Sequence, residues 1–169
     1  AAEAGVQGFI AKPLFKSNLF LGLKRYMLDE SEKEEKEESD FHNSFAGKKI
    51  LLAEDNDLNW EIAEDLLSEA GFELERAENG KICVEKFEQS VQGYYDVVLM
   101  DIRMPIMNGY DAARAIRTSG RPDAKLPIIA MTADAFSDDI QRCLDCGMNE
   151  HVAKPIDVNR LTQLLKKYL

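Results

Sequence analysis

From Lys49 onward the chain alternates between two hydrophobic rhythms. "KILLAE" (Lys49 to Glu54) is a continuous apolar run ending in acids. Leu58, Ile62, Ala63, Leu66, Leu67 and Ala70 then recur at helical spacing until Gly71 stops them. "FELERA" (Phe72 to Ala77) reads as a short strand, Gly80 to Gln89 as a helix, and "DVVLMD" (Asp96 to Asp101) as a strand. A Pro/Gly loop leads to a helix near Tyr110 to Thr118 and then to "LPIIAM" (Leu126 to Met131). A helix from about Ala135 to Cys146, a short strand from His151 to Ala153 and a helix from Val158 to Tyr168 complete the pattern. The runs around Ile50, Val97 and Ile128 are apolar throughout rather than at every second residue, as expected of strands covered by helices on both faces. Five such strand–helix units in about 120 residues predict an α/β fold built on a doubly wound parallel sheet.

The last of these units is written twice. Ala2 to Met27 aligns without a gap on Leu144 to Leu169, pairing Gly5 with Gly147, Lys12 with Lys154, Pro13 with Pro155, Leu19 with Leu161 and Tyr26 with Tyr168. Residues 1–28 therefore read as the C-terminal strand and helix of a preceding domain of the same kind, and 47–169 as the complete domain. Between them, residues 29–46 form an acidic linker; "DESEKEEKEESD" (Asp29 to Asp40) holds eight acids and two lysines and no apolar residue. The start, "AAEAGVQ", has neither an initiator methionine nor a signal-peptide pattern, so the expectation is a piece of a longer chain. A helix from about Ser17 to Met27 would carry Leu19, Leu23, Tyr26 and Met27 on one face. That stripe should seek apolar surface, and the favoured cover is a second copy of the chain: a homodimer through residues 1–28.

Charge narrows the partners. A net charge of −10 over 169 residues argues against direct contact with nucleic acid or an anionic membrane. No apolar run approaches the roughly eighteen residues of a membrane span. Three irregularly spaced cysteines suit a reducing cytoplasm, whether or not the parent protein is anchored in a membrane.

Acids stand where two strands end: Glu54 and Asp55 after the first, Asp101 after the third. Ligands of open α/β sheets bind beyond the carboxyl ends of the strands, where strand order reverses. Three carboxylates meeting there would repel one another and raise each other's pKa unless a divalent cation joined them, and few carboxylates with room for water suit Mg²⁺. Thr132 and Lys154, after the fourth and fifth strands, would reach the same rim. A hydroxyl, an ammonium and a metal around a carboxylate make a phosphoryl-transfer site. Other chemistries are weaker. Cys143 and Cys146 form a CxxC near His151 but lie on one helix without a second cysteine pair, which fits small core residues better than a metal site. His42 has no helical stripe around it and reads as a loop residue. Trp60 falls off the apolar stripe of its helix and should be at least partly exposed.

"LLAEDN", "VVLMDIRMPIMNGYDAARAIR", "PIIAMTA" and "HVAKPI" together resemble the receiver domain of two-component response regulators, from about Gly47 to Leu169. The opening "EDNDLNWEIAEDLL" is most similar to receivers carried by hybrid sensor histidine kinases. The resemblance implies a flavodoxin-like sheet of strand order 2-1-3-4-5. It implies a phosphorelay module in the cytoplasm that is not a conventional enzyme. Asp101 would take a phosphoryl group from a histidine kinase or histidine phosphotransfer domain. Glu54, partly through water, and Asp55 would hold Mg²⁺ together with Asp101 and the backbone carbonyl of Arg103. Thr132 and Lys154 would contact the phosphoryl oxygens, and the Lys154–Pro155 bond would be cis. His151 stands where the family usually carries the Tyr or Phe that swings inward with the threonine, so the switch pair would be Thr132 and His151. Two other readings compete. A receiver-like scaffold that takes no phosphate would be favoured by loss of Asp55, Asp101, Thr132 or Lys154, and all four are present. A haloacid-dehalogenase-type phosphatase needs DxDx[TV] after the first strand, which "AEDND" does not supply.

Overall fold

The computed structural model describes residues 45–133 and 137–169. The repeated segment 1–28, most of the linker and His42 lie outside the described residues. Five strands, β1 (Lys49–Ala53), β2 (Glu73–Ala77), β3 (Val97–Asp101), β4 (Ile128–Thr132) and β5 (Glu150–Ala153), form one parallel sheet in the order β2-β1-β3-β4-β5. Helices α1 (Asp57–Glu69), α2 (Gly80–Gln89), α3 (Gly109–Thr118), α4 (Ser137–Asp145) and α5 (Val158–Tyr168) follow the strands in turn. The order reverses at β1 and β3, which pair from Ile50↔Val97 to Ala53↔Met100, so their C-terminal ends are neighbours.

Local chemistry sets where the helices begin. Asn56, Asn79, Asn108 and Asp157 cap α1, α2, α3 and α5, each side chain accepting from the backbone N–H three residues on. Leu51, Ala53, Val98, Met100, Ile128 and Ala130 lie in one core with Phe87, Ala113, Ile116 and Cys143 from three helices and Cys146 just after α4. Side chains alternate across a strand, so Ile50, Leu52, Val97, Leu99, Ile129 and Met131, also buried, serve the opposite face. Cys143 and Cys146 are thus core residues, although α4 ends at Asp145 and Cys146 follows it in the turn.

Differences from the sequence pattern are local. β4 runs to Thr132 and begins at Ile128, since Pro127 has no N–H to donate to the ladder, although its carbonyl accepts from Val98 N at 2.9 Å. Packing starts two residues before Gly47: Phe45 is buried and stacks on Phe72, ring centroids 4.4 Å apart. Of the α1 stripe, Ala63, Leu67 and Ala70 are buried, but Leu58 is 55% exposed. Leu58 belongs to the first turn of α1, at the edge where β1 has already ended.

Arg117 is a structural centre that the hydrophobic pattern does not announce. Its guanidinium donates to the carbonyls of Gly147, Ala124 and Leu126 and to Asn149 Oδ1, at 2.7, 2.5, 2.9 and 2.9 Å. Burial lowers its pKa from the usual arginine value. The bonds tie α3 to the turns before β4 and β5, and so fix the strands that end in Thr132 and lead to Lys154.

Candidate functional site

β1 and β3 deliver their acids to a single crevice. One carboxylate oxygen from each of Glu54, Asp55 and Asp101 can lie within 4.8 Å of the others, the single such cluster of potential ligands among the described residues. Glu54 and Asp101 are buried and Asp55 is exposed, so the cluster has a protein side and an open side. Lys154 reaches in from the end of β5. Its Nζ donates to Glu54 Oε2 at 2.5 Å and to Asp101 Oδ2 at 2.6 Å. The backbone of Lys154 is held by its own N–H donating to Thr132 O at 2.8 Å, and the Lys154–Pro155 peptide is cis. Thr132, the last residue of β4, is buried on the same rim.

The electrostatics of the pair run in two directions. Burial raises the Asp101 pKa above the ordinary aspartate value, and the hydrogen bond and charge of Lys154 offset this only in part. For Lys154 burial acts downward, but its hydrogen bonds to Asp101 and Glu54 outweigh it, so the ammonium is held above its ordinary pKa. Short ion-pair contacts and a raised carboxylate are compatible here because burial of Asp101 outweighs the pull of Lys154 and of the Arg103 N–H, with the charge of Glu54 a smaller addition. Lys154 is therefore a fixed positive charge shared by two acids.

The loops around the acids are held from several sides. Glu54 Oε1 accepts from Asn56 N at 3.2 Å and from Asn59 Nδ2 at 3.0 Å, so with Lys154 both of its oxygens are engaged. Arg76 on β2 donates to the carbonyls of Glu54 and Asp55 and to Asp57 Oδ1, and its guanidinium lies 5.7 Å from the ring centre of Trp60. That contact leaves Trp60 half-buried rather than free on its helix. Asp101 Oδ1 accepts from Arg103 N at 3.1 Å. The loop from Ile102 to Gly109 closes on itself through Gly109 N to Ile102 O at 3.0 Å and is gripped by Gly80 N on Met107 O, also at 3.0 Å. Both glycines are close-approach positions: a Cβ on Gly109 would stand 2.3 Å from Asp101 O, and one on Gly80 would stand 2.5 Å from Met107 O.

The predicted residues Glu54, Asp55, Asp101, Thr132 and Lys154 thus share one end of the sheet. His151 sits one layer back, half-buried on β5 and in register with Ala130. Asn59 and Arg76 escaped the sequence reading. Asn59 lies one turn beyond the acids in "EDNDLN", which is a faint signal; Arg76 acts on backbone carbonyls and leaves none.

Residues 50–166 match the family described as "Response regulator receiver domain". This chain belongs to that family. Over 120 residues the chain is 41% identical to hybrid signal transduction histidine kinase M of Dictyostelium discoideum, covering 70% of this chain and 5% of that protein. The receiver domain of the Pseudomonas aeruginosa sensor histidine kinase PA1611, solved with a magnesium ion coordinated in its active site cleft, is 37% identical at a TM-score of 0.65, covering 73% and 98% of the two chains. The co-crystal structure of the Saccharomyces cerevisiae histidine phosphotransfer signaling protein Ypd1 with the receiver domain of Ssk1 is matched at 26% identity and a TM-score of 0.65, covering 73% of this chain and 90% of that one. The receiver sheet order 2-1-3-4-5 and its two helical layers are those expected from the sequence. The chain spans 5–8% of the length of the hybrid kinases M, L, I and B and the mak1 kinase that it matches. Among the described residues no helix is long and apolar enough to cross a membrane.

Proposed function

We propose that this receiver is a phosphoacceptor whose Asp101 takes a phosphoryl group from a phosphohistidine of a histidine kinase or histidine phosphotransfer domain. The observation that carries the reading is the buried Asp101 carboxylate held against Lys154 Nζ at 2.6 Å inside a three-carboxylate cluster. An oxygen of Asp101 bonds to phosphorus as the P–N bond to the histidine breaks, and the electron pair returns to the imidazole. Lys154 stays within reach of the oxygens of the acyl phosphate, and the Thr132 hydroxyl supplies a donor on the other side.

The cluster fits Mg²⁺ by the chemistry of its donors, which are all hard carboxylate oxygens on one open rim. Asp55 and Asp101 would hold it directly with the carbonyl of Arg103. Glu54, whose oxygens already serve Asn56, Asn59 and Lys154, would act through water. The ion supplies positive charge to the transferring phosphoryl group. Phosphorylation would then draw Thr132 inward and His151 with it, moving the surface of α4, β5 and α5. A hybrid histidine kinase is the parent that the relatives favour, with a cytoplasmic location for this domain. Residues 1–28 are proposed as the tail of a preceding receiver that pairs two copies of the chain.

Incubation with acetyl phosphate tests the central claim. By intact-mass spectrometry the protein should gain one phosphoryl group in the presence of Mg²⁺, none without it, and lose it in alkali. Equal labelling of Asp101→Asn would overturn the assignment.

A further inference from the structure

The three acids of the cluster are fixed in different ways. Glu54 and Asp101 are buried, and each gives a carboxylate oxygen to Lys154 Nζ. Asp55 is exposed, and its position is set through its backbone. The ladder to β2 reaches Glu54, whose N–H donates to Ala77 O at 3.0 Å. Beyond that rung the chain turns from β1 towards α1, and β2 has come to its end. Arg76, the last residue but one of β2, covers the gap with its side chain. Its Nε donates to Glu54 O at 3.3 Å and its Nη2 to Asp55 O at 3.4 Å.

Those two carbonyls belong to the peptide units on either side of the Asp55 Cα. A peptide unit is planar, so with both carbonyls directed at one guanidinium little freedom is left in the direction of the Asp55 Cα–Cβ bond. Each of the two bonds is long and by itself weak. The guanidinium is kept in place by a second pair of contacts, from α1. Asp57 Oδ1 accepts from Nη2 at 2.7 Å, and the Trp60 ring centre lies 5.7 Å from the guanidinium carbon. Asp57 is 85% exposed, so as an ion pair this contact contributes little; its effect is to orient the fork. A planar fork suits two carbonyls, a carboxylate and a ring together, where a lysine ammonium is a single point charge.

We propose that Arg76 is a positioning residue for the cation: it aims Asp55 at the metal without touching the ion. The proposal rests on the Mg²⁺ reading of the acid cluster. Mg²⁺ demands near-ideal geometry of its ligands, so a carboxylate whose Cα–Cβ direction wanders binds it less well. Groups that orient a metal ligand from behind act on affinity in this way. The charge of Arg76 works in the other direction, because a guanidinium near the site repels a cation. The two effects have opposite signs, and substitution separates them.

The test is a Mg²⁺ titration of the full chain, followed by the backbone amide resonances of Asp55 and Asp101, for wild type, Arg76→Lys and Arg76→Gln. Arg121→Gln is the control, because Arg121 also meets two carbonyls, an aspartate and an aromatic ring, but in the loop before β4, away from the acids. Arg76→Lys keeps the charge and loses the fork, and it should raise the Mg²⁺ dissociation constant by about ten-fold. Arg76→Gln should raise it by a similar factor. Arg121→Gln should melt lower than wild type yet bind Mg²⁺ within about two-fold of it, since the two sites share no partner. Labelling by acetyl phosphate should show the same split: the Arg76 variants need about ten-fold more Mg²⁺ for half of their maximum rate, and the loss lies there rather than in the maximum. A lysine variant that binds Mg²⁺ like wild type overturns the proposal, and so does a glutamine variant that binds it more tightly. Equal weakening by Arg121→Gln overturns it too, since any loss of rigidity would then suffice. A wild type whose Asp55 and Asp101 resonances ignore Mg²⁺ strikes the Mg²⁺ reading itself, and the proposal falls with it.

Discussion

Arg121 and Asp123 show how much single side chains settle in this domain. Asp123 accepts from Arg121 at 2.9 and 2.8 Å and from Gly93 N at 2.7 Å, while Arg121 also donates to the carbonyls of Glu88 and Ser90 and lies over the Phe87 ring. The pair joins the loop before β3 to the loop before β4. Arg121 depresses the Asp123 pKa to about 2, against about 3.9 for an unfolded aspartate. A depressed carboxylate stabilises the fold above its unfolded pKa and loses that contribution as pH falls through the folded one. Asp123→Asn should therefore lower the Tm by a few degrees at neutral pH, with the gap to wild type closing between about pH 4 and pH 2. Solvent at this loop screens the pair and keeps the effect modest. Thermal melts of both proteins across that range check it; a gap independent of pH would show that the loop is held by packing instead. The residue scale is also where sequence reading reaches least far. Glu54, Asp55 and Asp101 are legible because a carboxylate after an apolar strand has a defined address. Arg76, Arg117 and Arg121 are not, because most of their partners are backbone carbonyls many residues away, and a carbonyl has no letter in the sequence.

Among the elements, the β3–α3 loop is the part on which the site depends most. Its closure needs two glycines for space, one opening α3 and the other α2, and both meet the backbone of the loop that begins at Asp101. Gly109→Ala would drive a Cβ to 2.3 Å from Asp101 O, so the strand end and its carboxylate must shift. We expect a loss of roughly 1–3 kcal/mol in urea unfolding, the usual cost of overpacking, together with slower acetyl-phosphate labelling. Unchanged labelling in a folded variant would mean that Asp101 tolerates movement of its own backbone. The strands and helices themselves were readable from hydrophobic rhythm to within two residues or so. That holds because both faces of the sheet are buried and the Asn and Asp caps mark the helix starts. The rhythm misjudged Leu58, which keeps helical spacing but has run past the end of the sheet. The positive φ of Ile106 was invisible, since "PIM" has no glycine to advertise it.

At the scale of the whole chain, the repeat of Leu144–Leu169 in Ala2–Met27 makes the C-terminal copy a guide to the sequence of the other. In α5 the fully buried side chains are Leu161 and Leu165, which hold the helix on the sheet. The ungapped alignment puts Leu19 and Leu23 at those two positions. The first copy thus carries leucines at the positions that are buried in α5. Burying a leucine contributes about 1.5–3 kcal/mol, so two of them with Tyr26 and Met27 are a real incentive to associate. The cover we propose for this stripe is a second chain, which can offer a leucine stripe of its own. Like charges on the two linkers oppose pairing, so association should tighten as salt screens them. Deleting residues 1–28 should leave Asp101 labelling by acetyl phosphate unchanged, because no residue of the acid cluster lies there. The same deletion should convert a dimer of the 19.1 kDa chain into a monomer by multi-angle light scattering, with the full chain more dimeric at high salt than at low. Two monomers would mean that the leucines of the first copy are met by their own chain, and a dimer that survives the deletion would move the interface onto the receiver itself.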